Sequence, residues 1–190
     1  MAHSDWFNAP VPSFGRLDAR LLIVGLAPGV RGANRTGRPF TGDFAGDLLY
    51  RTLLHFGLAQ GRYLADPEDG LTLVDCRVTN AVRCVPPANL PTPTEIGACN
   101  GFLATEIAGM PRLRGVLALG GTAHNAVLRV HGLRPTRMPF RHGTIHRLSA
   151  AVLADSYHVS RLNTNTGRLT EAMFRAVVHG LLDRLATADG

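Results

Sequence analysis

An α/β fold with a parallel sheet covered by helices on both faces is predicted by three features of the chain. Short apolar runs of strand length recur along it, stretches with apolar residues at helical spacing alternate with them, and the long glycine-, proline- and polar-rich segments begin where strand-like runs end. In such sheets ligands bind at loops leaving the carboxyl ends of the strands. Residues 27–43, 84–93 and 157–168 are therefore the candidate functional loops.

The elements follow in order. Residues 21–25 (LLIVG) read as a buried strand. Phe44, Ala45, Leu48, Leu49, Thr52, Leu53 and Phe56 then repeat at helical spacing until Gly57 stops them. Residues 71–83, rich in β-branched side chains, read as a second strand, and the prolines at 86, 87, 91 and 93 enforce a loop after it. Thr92, Pro93 and Glu95 supply an N-cap, a first-turn proline and a capping-box acid ahead of the apolar stripe Ile96, Cys99, Phe102, Leu103 and Ile107. Residues 114–119 (RGVLAL) form a third strand, followed by Gly120-Gly121-Thr122 and a helix carrying Ala123, Ala126, Val127 and Val130. Residues 150–154 lead into Ser156-Tyr157-His158, and Leu169, Met173, Val177, Leu181 and Leu185 step along a last helix.

At 190 residues and 45% hydrophobic content, the chain has the size of one domain whose core needs neither disulfide nor metal. A single domain over residues 1–190 is expected. No apolar run reaches the roughly 18 residues of a membrane span, and the first residues lack the basic and apolar regions of a signal peptide, so a cytoplasmic protein with no membrane partner is expected. Cys76, Cys84 and Cys99 are odd in number and match no zinc spacing, which points to reduced thiols. The formal charge is +6, and all 20 basic residues are arginine, whose fork suits phosphate oxygens. Nucleic acid is a candidate partner; a coding bias toward Arg, Ala and Gly gives the same composition without one.

The loop after the first strand, GLAPGVRGANRTGRPFTGD, holds five glycines, three arginines and one acid at its far end. It is not a P-loop, because no Lys-Ser/Thr pair follows its glycines and the chain has no lysine. Gly25, Gly29 and Gly32 do not give the dinucleotide spacing G-x-G-x-x-G, so no nucleotide cofactor is expected.

Three long motifs in separate loops carry a family resemblance. Gly25-Leu26-Ala27-Pro28-Gly29 with the segment from Gly32 to Asp43, Thr79-Asn80-Ala81-Val82-Arg83-Cys84-Val85-Pro86-Pro87-Ala88-Asn89, and the segment from Ser156 to Thr170 (SYHVSRLNTNTGRLT) are similar, in order, to those of the uracil-DNA glycosylase superfamily, specifically its type-b branch (family 5). The resemblance implies a three-layer α/β/α sandwich around a central four-stranded parallel sheet. It also implies a monofunctional DNA repair hydrolase that cuts the N-glycosidic bond of uracil, and of some other deaminated bases, by base flipping.

That reaction grows positive charge on the sugar and negative charge on the departing pyrimidine, so a site must steady both charges and place a water. Many relatives have an acid or amide at the substrate-binding position that Ala27 holds here, and the resemblance gives the water-orienting duty to Asp43; the simpler reading of Asp43 is an acid at a helix N-terminus. Phe40 would stack on the extruded base, where core packing is the alternative. Asn80 would pair with the pyrimidine edge, with a turn as its alternative; some type-b relatives have alanine there, so Asn80 would narrow the choice toward uracil. His158 would donate to the uracil oxygen that gathers charge, and a structural histidine is the other reading. Leu162, beside Arg161 and Asn163, would wedge the base stack open. Asn89 matches a further active-site position or serves as turn chemistry, and Arg35, Arg38, Arg161 and Arg168 would reach DNA phosphates.

The type-b branch also carries a [4Fe–4S] cluster on four cysteines. Cys84 and Cys99 match the second pair of ligands; the first, near the chain start, is absent. The expectation is a start lying upstream of Met1, with loss of the cluster as the alternative. A monomer acting on uracil-containing DNA is the reading carried forward, against two others: a non-catalytic damaged-DNA binding module of the same fold, and a small-molecule nucleoside hydrolase.

Overall fold

A computed structural model describes residues 3–87 and 90–187. The first strand, β1 (Leu21–Gly25), is followed by one short helical turn, α1 (Ala33–Thr36), and by α2 (Phe44–His55). Two-residue strands β2 (Ala59–Gln60) and β3 (Thr72–Leu73) pair antiparallel as a separate ribbon. Then come β4 (Cys76–Asn80), α3 (Pro93–Ala108), β5 (Gly115–Leu119) and α4 (Gly121–Val130). The chain closes with β6 (Ile145–Arg147), β7 (Val152–Ser156), α5 (Arg161–Asn165) and α6 (Glu171–Thr187).

The main sheet runs β4-β1-β5-β7-β6, with β6 antiparallel and the other four strands parallel. Side chains alternate across it, as a two-residue period demands. Leu21, Ile23, Leu117 and Leu119 face α2 and α6, packing with Leu49, Leu53, Phe174 and Leu181. Leu22, Val24, Val116 and Ala118 face α3 and α4, packing with Leu103, Ala123 and Val127. The result is the expected three layers, and no helix among the described residues is long and apolar enough to cross a membrane.

Two details depart from the expectation. The sheet has five strands, because residues 145–147 add an antiparallel edge that a three-residue run is too short to announce. Residues 71–83 are broken rather than continuous: Asp75 takes a left-handed conformation (φ 51°), and its carboxylate accepts from the Arg20 backbone N–H at 3.0 Å and from Arg20 Nε at 2.6 Å. That kink sends 72–73 to the small ribbon and 76–80 to the main sheet. The capping box of α3 forms as expected, with Glu95 N donating to Thr92 Oγ1 at 3.2 Å and Thr92 N donating to Glu95 Oε2 at 2.7 Å.

Candidate active site

The loops following β1, β4 and β7 meet at the carboxyl end of the sheet. Gly25 and Asn80 are register partners on adjacent strands, and the chain continues the pairing past the strand ends through Ala81 N to Gly25 O at 2.9 Å and Val82 N to Leu26 O at 3.0 Å. Asn80 is thereby fixed with its carboxamide 5% exposed, and its Oδ1 has no hydrogen-bond partner among the described residues. A buried acceptor left unpaired costs about 1–3 kcal/mol, which a ligand donor would recover. Gly25 is required beside it: a Cβ there would run into Asn80 Oδ1 and the ring of Phe40.

Phe40 is held in an uncommon backbone state, φ 54°, a conformation that concentrates at functional sites. Its carbonyl accepts from the Tyr63 hydroxyl at 3.1 Å, and the Pro39 carbonyl before it accepts from Tyr50 at 2.6 Å. These bonds turn the Phe40 ring toward Gly25 and to 6.0 Å, centroid to centroid, from the ring of His158.

Asp43 is the N-cap of α2, its Oδ1 accepting from Ala45 N at 3.1 Å. The helix-terminal reading holds, and capping uses only one oxygen, leaving the other toward Gly29 and Gly32. A Cβ on Gly32 would collide with that second oxygen. Burial raises the Asp43 pKa above the ordinary value, opposed by the Ala45 and Gly46 N–H groups.

His158 follows β7 by two residues. Burial pushes its pKa down to about 4, so at neutral pH the ring is uncharged and offers one N–H. Its carbonyl accepts from Asn163 Nδ2 at 2.8 Å, tying it to α5, whose N-cap Ser160 accepts from Asn163 N at 3.4 Å. Ala27, Phe40, Asp43, Asn80 and His158 line one narrow pocket, which is continuous with a cleft of about 730 Å³ between the opening loop and α5. Leu162 stands on the rim of that cleft, 72% exposed. Arg161 lies over the ring of Phe44 at 5.2 Å, Arg168 over Tyr157 at 4.6 Å, and Arg35 is exposed with its Nε on the Arg31 carbonyl at 3.0 Å.

Comparison with known proteins identifies the family. The family model described as the Uracil DNA glycosylase superfamily matches residues 12–182. The chain belongs to the uracil DNA glycosylase superfamily. Within it, the chain is 49% identical over 174 residues to a type-5 uracil-DNA glycosylase of Thermus thermophilus, covering 91% of this chain and 79% of that one. It is 46% identical over 175 residues to a type-5 enzyme of Mycobacterium leprae, covering 90% and 76%, and 42% identical over 165 residues to one of Pyrobaculum aerophilum, covering 87% and 72%.

In this glycosylase-superfamily member Arg38 is not a surface residue, contrary to the expectation that it reaches DNA. Its guanidinium is 6% exposed and forms a bidentate pair with buried Asp69, both bonds 2.8 Å, beside the rings of Phe14, Tyr50 and Tyr63 at 5.2, 5.7 and 5.9 Å. An arginine roofed by rings and matched to a carboxylate ties the opening loop to residues 63–69. Nothing in the local sequence marks Asp69 or Tyr63 as its partners. Asn89 lies outside the described residues.

A four-thiolate cluster does not fit the donors present. The chain has three cysteines, Cys84 exposed, Cys99 half-buried and Cys76 buried. The Cys76 thiol donates to the Leu58 carbonyl at 3.1 Å at the start of β4, the end of the strand away from the pocket, and burial pushes it up to about 12. Among the described residues, His124, His146 and Asp155 do gather ligand atoms within 4.8 Å of one another. Both ring nitrogens of His124 face oxygen acceptors, Asp155 Oδ1 at 2.7 Å and the Met138 carbonyl at 2.8 Å. Both nitrogens are thus already taken up by short contacts to oxygen, which leaves neither directed at a metal position.

Proposed function

We propose that this chain hydrolyses the N-glycosidic bond of uracil in DNA, leaving an abasic site, as a single-domain, monomeric, cytoplasmic repair enzyme without a nucleotide cofactor. The observation that carries the reading is the convergence of Phe40, Asp43, Asn80 and His158 on one pocket at the carboxyl end of a parallel sheet, open to a cleft rimmed by Leu162. Membership of a superfamily whose relatives are named uracil-DNA glycosylases supports it.

A base paired in duplex DNA cannot reach this pocket, so the nucleotide must rotate out, with Leu162 filling the gap and exposed Arg35, Arg161 and Arg168 holding phosphates. The extruded pyrimidine stacks on Phe40, and the Asn80 carboxamide, with its unpaired acceptor, meets the N3–H of uracil. Cytosine has no proton on N3, which leaves that acceptor unmatched. As the bond between the sugar C1′ and the base N1 breaks, its electron pair stays with uracil, and the neutral His158 N–H donates to the uracil carbonyl oxygen that gathers the charge. The free oxygen of Asp43 orients a water, whose oxygen forms the new bond to C1′ while its proton passes to the carboxylate. Uracil then takes a proton from solvent, and Asp43 releases its proton to solvent to restore the carboxylate. Ala27 lines the pocket without a polar side chain, and Asn89 is a further candidate at this site from its motif alone. Cys84 and Cys99 take no part in these steps.

The test is conversion of a uracil-containing duplex to an alkali-labile product. Turnover by the unmutated chain and its loss in Asp43→Asn support hydrolysis; tight binding of the duplex with no product supports a binding module. The ionisable carboxylate at the pocket wall favours hydrolysis. Turnover of free deoxyuridine at a comparable rate would favour a small-molecule enzyme, against which the open cleft and Leu162 argue.

A further inference from the structure

The segment between α4 and β7 holds a histidine that none of the recognised motifs contains. His142 Nδ1 accepts from the backbone N–H of Tyr157 at 3.1 Å, and the two rings stack at 4.6 Å and 4°. Because Nδ1 accepts, it is unprotonated and the ring's proton lies on Nε2. Tyr157 is the first residue beyond β7 and the one before His158. Its N–H lies on the β6 side of β7, as that of Asp155 does, past the last register pair of those two strands, Ile145 with Ala154, where the sheet no longer supplies an acceptor. Past a strand end a backbone donor must find another partner or water. Here the partner is the side chain of His142.

The position of His142 is itself fixed from both sides. Arg141 N donates to Asp155 Oδ2 at 3.1 Å, and Gly143 N donates to the Asp155 carbonyl at 2.8 Å. Asp155 N donates back to the Thr144 carbonyl at 3.0 Å. The Asp155 carboxylate is held in turn by His124 Nδ1 at 2.7 Å and His146 Nε2 at 3.0 Å. One fully buried aspartate thus pins the residues before and after His142, and His142 pins the residue before His158. Gly120 N on the Ser156 carbonyl at 2.8 Å and Asn163 Nδ2 on the His158 carbonyl complete the clamp.

We infer that His142 is a positioning residue: through its Nδ1 acceptor it fixes the Tyr157 peptide and so aims the His158 ring at the flipped base. The inference rests on the proposed role of His158. Its own content is that the acceptor atom matters, rather than the ring stack or the bulk of the side chain.

Three substitutions separate these contributions. His142→Asn keeps an acceptor near the Nδ1 position without the ring, His142→Phe keeps the stack without the acceptor, and His142→Ala removes both. Single-turnover rates on a uracil-containing duplex are measured beside the affinity for a duplex bearing a non-cleavable 2′-fluoro-deoxyuridine and beside thermal melting. The expected result is a loss of about 10- to 100-fold in rate for His142→Phe and His142→Ala, the order that a misplaced group costs. Their affinity for the uncut duplex stays within about 2-fold of the unmutated protein's on the same positioning argument, and His142→Asn recovers most of the rate. Unmutated rates in His142→Phe, or a His142→Asn as slow as His142→Ala, would overturn the inference. So would rate losses that follow melting temperature across the three variants. A His158→Ala protein with the unmutated rate would instead remove the role assigned to His158, and is measured in parallel to tell the two failures apart.

Discussion

Asp43 caps α2, and the water-orienting role proposed for it would pull its chemistry in the opposite direction. As the cap of α2 it is favoured by the Ala45 N–H, while its burial disfavours the charge that a water-orienting carboxylate needs. A carboxyl whose pKa is raised on folding binds its proton more tightly in the native state, so its contribution to stability is greatest at low pH and falls as pH rises through the raised value. Asparagine caps helices as well as aspartate and carries no charge to bury. Asp43→Asn is therefore expected to lower single-turnover activity by about 100-fold or more, the scale of a lost general base. Its urea-unfolding free energy at pH 7 should equal or exceed that of the unmutated protein. A variant that lost activity and stability together would contradict this. The acid limb of the unmutated protein's rate profile is expected above the ordinary aspartate value of 3.8, the direction in which burial moves Asp43. At this scale the sequence was informative where residues fall in long motifs: Phe40, Asp43, Asn80 and His158 could all be named from it. It was silent where a partner is distant. Arg38 reads as a free cation because Asp69 lies 31 positions away, and His142 carries no local pattern that distinguishes it from any other loop histidine.

Among the elements, the boundaries that capping chemistry dictates were legible and the weakly patterned ones were not. Thr92 and Glu95 announce α3, and Gly57 closes the stretch after α2. The three residues of β6 present no period to detect, and the kink at Asp75 depends on an arginine 55 positions earlier. The segment that supplies β6 is tied down by a titratable residue of α4, His124, through the Met138 carbonyl. Burial acts to lower the His124 pKa, but the Asp155 hydrogen bond and charge, with the Met138 carbonyl, raise it on balance. A histidine with a raised folded pKa contributes stability that is complete below its unfolded value, about 6.5, and is lost as pH rises through the folded value. Burial lowers His131, His142 and His158, whose contributions are instead lost as pH falls below about 6.5. Unfolding free energy measured between pH 6.5 and 9 is thus expected to decline with pH, and to decline less in His124→Gln; an unchanged slope in that variant would place the effect elsewhere. For α5 the exposed side chain sets the expectation. Leu162→Ala should slow excision from duplex DNA by more than it slows excision from a single strand, since only the duplex has a stack to prop open. Equal slowing on both substrates would argue against a wedge.

For the molecule as a whole, the +6 charge comes entirely from arginine in excess of acid, and its members are not equivalent. Exposed Arg35, Arg161 and Arg168 are the proposed phosphate contacts. Each alanine substitution is expected to weaken binding to any duplex sequence and to reduce the slope of log affinity against log salt by about 1. Arg38→Ala is expected to leave that slope unchanged while destabilising the fold by about 3–5 kcal/mol, the usual cost of stranding the other half of a buried pair. A reduced slope with normal stability would return Arg38 to the surface. Because mobile ions do not penetrate a cation enclosed by three aromatic rings and a matched carboxylate, the segment bearing Phe40 should keep its shape in brine concentrated enough to strip the protein from its nucleic acid. Electrolyte would then govern how often a lesion is visited, while the receptacle for the base stays ready between visits.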